Sequence, residues 1–194
     1  ENQTTAYRSI FKATSLFGGV QAYRILIGII KSKFVAVLLG PAGMGIMGLY
    51  SSAIQLIQSI SSFGLSQSAV RDVSEANGSG DTKRIGLAVA VVRRLVWITG
   101  LLGLTATAVL SPVLSKTTFG NYDYTIPFIF LSVILLFDQL SAGQKVVLQG
   151  MRKLKYLAKS TAIGSTVGLI VSIPLYYLFG IKGIVPTLIL NSVT

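Results

Sequence analysis

The sequence has 194 residues, of which 52% are hydrophobic and only 12% are charged, and its formal net charge is +11. Soluble domains carry about 25% charged residues, so this composition is typical of a membrane protein. The sequence contains no cysteine and no histidine, which excludes disulfides, histidine-based catalytic triads and metal sites built from these residues. We therefore predict an all-α integral membrane protein without a cofactor.

A helix that spans a membrane needs about 20 mostly apolar residues. The sequence predicts six such spans, at 9–39, 43–70, 85–110, 125–148, 158–179 and 184–194. We place the turns and loops between them at 38–45, 71–84, 111–123, 149–156 and 179–183. The sequence starts with Glu1 and stops within the sixth span. We therefore expect one six-helix lobe, the N-terminal one, of a longer protein whose C-terminal lobe is absent.

The basic residues fall between the apolar segments, which favours a role in membrane topology over nucleic-acid binding. Lysine and arginine collect on the cytoplasmic side of membrane proteins. With a cytoplasmic N-terminus, most basic residues lie on the inner side, and the outer side holds only Lys31, Lys33, Lys116 and Lys182. We therefore predict that the N-terminus is cytoplasmic.

Three charges interrupt the first span. Gln21, Arg24, Gly28 and Lys31 are three or four residues apart, so they share one face of a helix. Lys33 lies on the opposite face near the outer end, where it can extend to the membrane surface. Lys31 fits either explanation. Arg24 lies near mid-membrane, where ionisable residues usually face a bundle interior or an aqueous cavity.

Polar residues also form stripes on the second and fourth spans. The second carries Gln55, Ser59, Ser62 and Ser66, a pattern that fits either a cavity wall or helix packing. The fourth carries Asp138, Ser141 and Lys145. Together with the first span, these faces predict a shared hydrated cavity that is cationic and holds Asp138 as its acidic group.

Other polar positions have simpler explanations. Arg93, Arg94 and Lys145 lie near the cytoplasmic ends of their spans, where membrane orientation would account for them, although Arg93 is also a candidate for the cavity. The fifth span carries Ser160, Gly164, Gly168 and Ser172 at intervals of four, which is typical of close helix packing. For Arg24 and Asp138, an ion pair with each other remains the alternative to a functional role.

Two segments resemble a known family. "FVAVLLGPAGMGIMGLYSSAIQLIQSISSFGLSQSAVRDVSEA" (34–76) contains a Leu-Gly-Pro-x-Gly hairpin and a Gly-to-Arg cytoplasmic boundary. "LQGMRKLKYLAKSTAIGSTVGLIVSIPLYYLFGIKGIVPTLIL" (148–190) contains a Gln-Gly-x-x-Arg loop and a Gly-x-x-Gly turn. Both resemble polysaccharide flippases, in particular O-antigen flippases, of the multidrug/oligosaccharidyl-lipid/polysaccharide exporter superfamily.

This resemblance implies a bacterial inner-membrane transporter with two six-helix lobes around a central cavity. Such proteins move undecaprenyl-pyrophosphate-linked oligosaccharides to the outer leaflet, driven by an ion gradient. The expected partners are this lipid-linked cargo, membrane lipid and a coupling cation, either proton or sodium. The expected cargo-binding residues are Gln21, Arg24, Lys31, Gln55, Ser59 and Arg93, and Asp138 is expected to couple transport to the ion.

Two alternatives remain open from the sequence. A drug or metabolite exporter of the same superfamily would share the architecture, although an acidic cavity would suit cationic drugs better. A membrane enzyme of polysaccharide synthesis would need a catalytic loop, and the acidic residues of the predicted loops are Asp72, Glu75, Asp81 and Asp123, without an Asp-x-Asp motif. We therefore expect a secondary transporter and not an enzyme.

Overall fold

A computed structural model describes residues 3–61 and 65–193, with side chains for residues 15, 18–61 and 67–193. Its elements are α1 (Gln3–Ser61), α2 (Leu65–Gly78), α3 (Thr82–Phe119), α4 (Thr125–Gly150), α5 (Leu154–Phe179), a 3₁₀ turn (Gly180–Gly183) and α6 (Ile184–Val193). Four described stretches are long and apolar enough to cross a membrane: Gly18–Ser61, Thr82–Phe119, Thr125–Gly150 and Leu154–Val193. The chain is thus an all-α membrane protein, as the composition predicts.

The outer surface of the helices is apolar. Val37, Val109 and Tyr177 are 75%, 77% and 76% exposed. In water this much exposed apolar surface would favour association. Against lipid it is the expected surface, because the helices satisfy their backbone hydrogen bonds internally.

Two of the four stretches contain a break, and the first break lies at Gly40. This residue has φ 64° and ψ −173°, between an N-terminal segment of α1 (3–39) and a C-terminal segment (41–61). A side chain would be strained at this φ, which is why glycine suits the position. The second break is the 3₁₀ turn between α5 and α6.

Contacts show that the two segments of α1 run in opposite directions. The Tyr23 hydroxyl lies 2.7 Å from the Thr166 hydroxyl on α5, and Gln58 donates a 2.5 Å hydrogen bond to Asp138 on α4. Arg152 lies in the short turn that joins α4 to α5. Thr166 and Asp138 are the same number of residues away from it, one on each helix. Tyr23 and Gln58 therefore lie at one level, and the chain folds back at Gly40. The predicted turn at 38–45 was too long, because Gly40 is its one non-helical residue.

The predicted loop at 71–84 was largely wrong, because helix α2 continues to Gly78. Val73 on this helix is fully buried. A Cβ added to Gly150, at the end of α4, would lie only 2.6 Å from the Cβ of Val73, so only glycine fits there. Burial of this apolar face against α4 stabilises α2. Residues 62–64, within the predicted span 43–70, lie outside the described residues.

The predicted loop at 111–123 was also too long. Helix α3 continues to Phe119, and Gly120 closes it with φ 78°. The Ser115 hydroxyl donates to the carbonyl of Asn121 and accepts from the backbone N–H of Tyr124. These two hydrogen bonds hold the short connection against the end of α3, which leaves residues 120–124 as the turn.

Helices α3 and α4 pack closely along most of their length. A Cβ added to Gly143 of α4 would lie 2.6 Å from Cγ2 of Val96 on α3. At the far end of the pair the rings of Phe119 and Tyr124 stack with centroids 3.9 Å apart, and Tyr50 packs beside them. The opposite side of α4 faces α1 and α5, where the packing is open.

Candidate functional site: two polar cavities beside α4

A cavity of about 530 Å³ lies between the N-terminal segment of α1 and helix α5, with contributions from α4 and α6. The α1 wall is the stripe that the sequence predicts, with Gln21, Arg24, Gly28 and Lys31. The facing wall is built from small and hydroxyl residues of α5, which leave space between the helices. These are Ser160, Thr161, Gly164, Ser165 and Gly168.

The charged residues that line this space are all positive. Arg24 and Lys31 come from α1 and Lys145 comes from α4, and no Asp or Glu is among the described residues of the wall. Gln21, Gln149 and Asn191 add amide groups. Clustered like charges with apolar surroundings focus an electrostatic field, so this cavity attracts anions. We call it the cationic cavity.

A second cavity, of about 580 Å³, lies between α4 and the C-terminal segment of α1. Its walls include Gln55, Gln58 and Ser59 from α1 and Asp138 from α4. Gln58 donates to Asp138, and the Ser59 hydroxyl donates to the Leu56 carbonyl within its own helix. We call this the Asp138 cavity. Ser62 and Ser66, which continue the predicted stripe, lie outside the described side chains.

The two cavities share one residue, Lys145, which lines both. The structure therefore gathers Gln21, Arg24 and Lys31 in one space and Gln55, Ser59 and Asp138 in a second space that adjoins it at Lys145. The sequence predicts a single shared cavity, whereas the structure has two, with Lys145 in the walls of both.

The structure does not contain the ion pair that was the alternative explanation for Arg24 and Asp138. Within the described chain, Arg24 and Asp138 line different cavities, and the side-chain partner of Asp138 is Gln58. No ion pair joins Arg24 to Asp138 there. The described residues therefore do not support an Arg24–Asp138 ion pair as the explanation for these two charges.

Arg93 is not brought together with the other candidate residues. It lies in a hollow between α3 and α4 whose wall, apart from Gln144, consists of Gly143 and apolar side chains such as Val96 and Trp97. Arg93 is exposed and lies toward the α2 end of α3. This position fits a residue that orients the helix in the membrane.

Sequence reasoning missed the role of α5 in the cavity wall. The small residues of α5 predict close packing, and Gly168 and Ser172 are indeed buried. The same stripe nevertheless widens into the cationic cavity at Ser160 and Gly164. Asp138 and Lys145 line one wall, as their predicted stripe indicates, since seven residues return to nearly the same face of a helix.

Neither cavity has the ligands of a metal centre. In the described part of the chain, no group of three or more His, Cys, Asp or Glu side chains is placed to hold a metal ion. Asp138, with amide and hydroxyl groups near it, is the carboxylate of the two cavities.

The family model Polysacc_synt, described as "Polysaccharide biosynthesis protein", matches residues 10–194. No curated protein and no solved structure matches the chain. The match covers the helices that form both cavities.

Proposed function

The chain belongs to the family of polysaccharide biosynthesis proteins, and from this premise we propose that it takes part in flipping lipid-linked oligosaccharides across the bacterial inner membrane. The cargo is an oligosaccharide repeat unit on undecaprenyl pyrophosphate, destined for O-antigen or another surface polysaccharide. In this proposal the protein is a secondary transporter with a cytoplasmic N-terminus, and it catalyses no covalent step.

The observation that carries this proposal is the charge of the cationic cavity. A pyrophosphate is costly to move through hydrocarbon, and three cations at Arg24, Lys31 and Lys145 lower that cost. Arginine binds phosphate with two parallel hydrogen bonds, which makes Arg24 the main contact. A cationic drug, the cargo of the alternative exporter, would be repelled by the same charges.

The remaining groups of the wall suit the sugars. Gln21 and Gln149 offer amide groups, and Thr161 offers a hydroxyl, along the same cavity. Amides both donate and accept hydrogen bonds, so they can replace water around sugar hydroxyls. The lipid tail would remain in the bilayer, beside the apolar outer faces of the helices.

Asp138 is the proposed site of ion coupling. It lies within a membrane-spanning helix, where a carboxylate is costly unless it is paired or exchanges a cation. Its partner, Gln58, is uncharged. Asp138 could therefore alternate between carrying and releasing a proton or sodium ion during transport.

The test replaces Arg24 with Gln in the intact protein. The measurements are surface polysaccharide in cells and translocation of a lipid-linked oligosaccharide in proteoliposomes. Loss of a hydrogen bond to a charged group costs about 1.5–3 kcal/mol, so transport should fall about tenfold or more. Arg84→Gln is the matched control, because Arg84 is exposed at the start of α3 and lines neither cavity. Unchanged transport in Arg24→Gln would contradict the proposal.

A further inference from the structure

Lys145 lies between the two cavities and contributes to the walls of both. It lines the cationic cavity together with Arg24 and Lys31, and it also lines the Asp138 cavity. In the described residues it is the charged side chain common to both walls. An anion in one cavity and the carboxylate of the other therefore face the same ammonium group.

The geometry of α4 lets this ammonium serve both sides. Asp138 and Lys145 are seven residues apart on one helix, which is about 10.5 Å of rise and nearly a full return to the same face. Side chains in a helix lean toward its N-terminus, so the long stem of Lys145 extends toward Asp138. Ala142 lies between them in the wall, and its small side chain leaves that space open.

Among the described residues, Lys145 is the cation whose charge acts on Asp138, in addition to the hydrogen bond from Gln58. The Lys145 charge attracts the Asp138 carboxylate, while the nearest hydrogen-bond donor to the carboxylate is the neutral Gln58. No direct ion pair joins Asp138 and Lys145 within the described part of the chain. The ammonium is thus attracted to Asp138 without being fixed there, and it remains available to an anion in the cationic cavity.

We propose that Lys145 is shared between the two cavities, so that binding of a pyrophosphate and the charge of Asp138 are thermodynamically linked. When the cationic cavity is empty, the positive charge of Lys145 favours the charged form of Asp138 without a direct ion pair. A bound pyrophosphate draws the ammonium toward itself and leaves Asp138 without its counter-charge. The carboxylate then takes up a cation, which connects cargo binding to ion uptake.

This linkage rests on the proposed function, since it assumes that the cationic cavity binds a pyrophosphate. It works in both directions, because the free energy that couples two binding events is the same whichever event comes first. Removing the charge of Asp138 should therefore strengthen pyrophosphate binding. This gain in affinity should depend on the presence of Lys145.

A double-mutant cycle tests the role of Lys145. The probe is farnesyl pyrophosphate, with farnesol as its uncharged counterpart, and the measurement is the dissociation constant for the purified intact protein in detergent. Asp138→Asn should tighten binding of the pyrophosphate about fivefold or more, a typical size for coupling between sites. Lys145→Gln should weaken it. In the Lys145→Gln background, Asp138→Asn should change the affinity by less than about twofold.

The cycle separates the shared lysine from simple repulsion between Asp138 and the anion. Repulsion would let Asp138→Asn tighten binding equally with and without Lys145, and this additive result would overturn the linkage but not the proposed function. If farnesol binds as tightly as farnesyl pyrophosphate and Arg24→Gln has no effect, both proposals are overturned.

Two further variants control for charge and folding. Lys145→Arg keeps the positive charge and should keep the effect of Asp138→Asn. Lys155→Gln removes a lysine that lines neither cavity and should leave the cycle unchanged. If thermal unfolding shows that Asp138→Asn is misfolded, Asp138→Ser replaces it in the same cycle, and the same additive result would overturn the linkage.

Discussion

The two sides of α4 differ in how closely they pack against the neighbouring helices. Toward α3, glycines bring the backbones so close that an added Cβ at Gly143 would lie 2.6 Å from Val96. Toward α1 and α5, hydroxyl, amide and charged residues surround two cavities of about 530 and 580 Å³. The close side can form one rigid unit, whereas the open side has room for a hydrated ligand. The same helix thus serves as scaffold on one face and as cavity wall on the other.

The largest expected effect is on stability and comes from adding a large side chain between α3 and α4. Gly143→Leu places a whole side chain where Val96 already lies, and overpacking of this kind costs about 3 kcal/mol. The measurement is thermal unfolding of the purified protein in detergent. Gly86→Leu is the control, because a Cβ at that position meets nothing within 4 Å. Equal stability of the two variants would mean that α3 and α4 are not closely packed.

A smaller effect is expected on the open side, from Lys31. It is half-buried in the cationic cavity, so Lys31→Gln should weaken farnesyl pyrophosphate binding about fivefold, close to 1 kcal/mol. Lys33→Gln is the matched variant, since Lys33 is two residues away, exposed and absent from the cavity wall. If both variants lose the same affinity, Lys31 acts only through net charge at the membrane surface.

A still smaller effect is expected for the hydrogen bond that crosses the open side. Tyr23→Phe removes the contact between the Tyr23 and Thr166 hydroxyls. Hydrogen bonds between membrane helices average about 0.6 kcal/mol, so the free energy of unfolding should fall by about that amount. Tyr177→Phe is the control because this ring is 76% exposed at the outer surface. A double mutant with Thr166→Val that destabilises additively would show that the two hydroxyls do not interact.

The smallest effect is expected for Arg93. Its hollow lies between α3 and α4, apart from both polar cavities, so Arg93→Gln should change pyrophosphate affinity by less than about 0.5 kcal/mol. The assay is the farnesyl pyrophosphate titration of the double-mutant cycle, with Arg24→Gln measured alongside. A loss as large as that of Arg24→Gln would show that Arg93 belongs to the cargo path.

Helical phase was sufficient to place residues on one wall of a cavity but not to choose the opposite wall. Gln21, Arg24 and Lys31 share a face because their spacing fixes it, and the structure has them in one cavity wall. Arg93 is also a basic residue within an apolar span, yet it lies in the hollow between α3 and α4. The spacing within one helix says nothing about which helix lies beside it.

The small residues of α5 show a second limit of sequence reasoning. Gly164 and Gly168 permit a close approach, and the sequence indicates packing for that reason. Whether the neighbouring helix comes that close depends on the side chains on its own facing surface. The polar face of α1 lies opposite Ser160 and Gly164, so the stripe becomes a cavity wall there.

The loops were misjudged for a related reason. The segment at 71–84 is polar enough to predict a loop, but the burial of Val73 against Gly150 stabilises a helix up to Gly78. That contact joins residues far apart in the chain, and local polarity carries no information about it.

The sequence by itself determined that the chain is an all-α membrane protein, because apolar length and the scarcity of charge admit little else. It also indicated a turn within 38–45 and the charged face of the first span, since turn residues and helical period are local properties. Only the tertiary structure decided that Lys145 joins two cavities, that Arg24 and Asp138 do not pair, and that Arg93 lies elsewhere. These depend on how whole helices pack, and helix packing is set by contacts between segments distant in sequence.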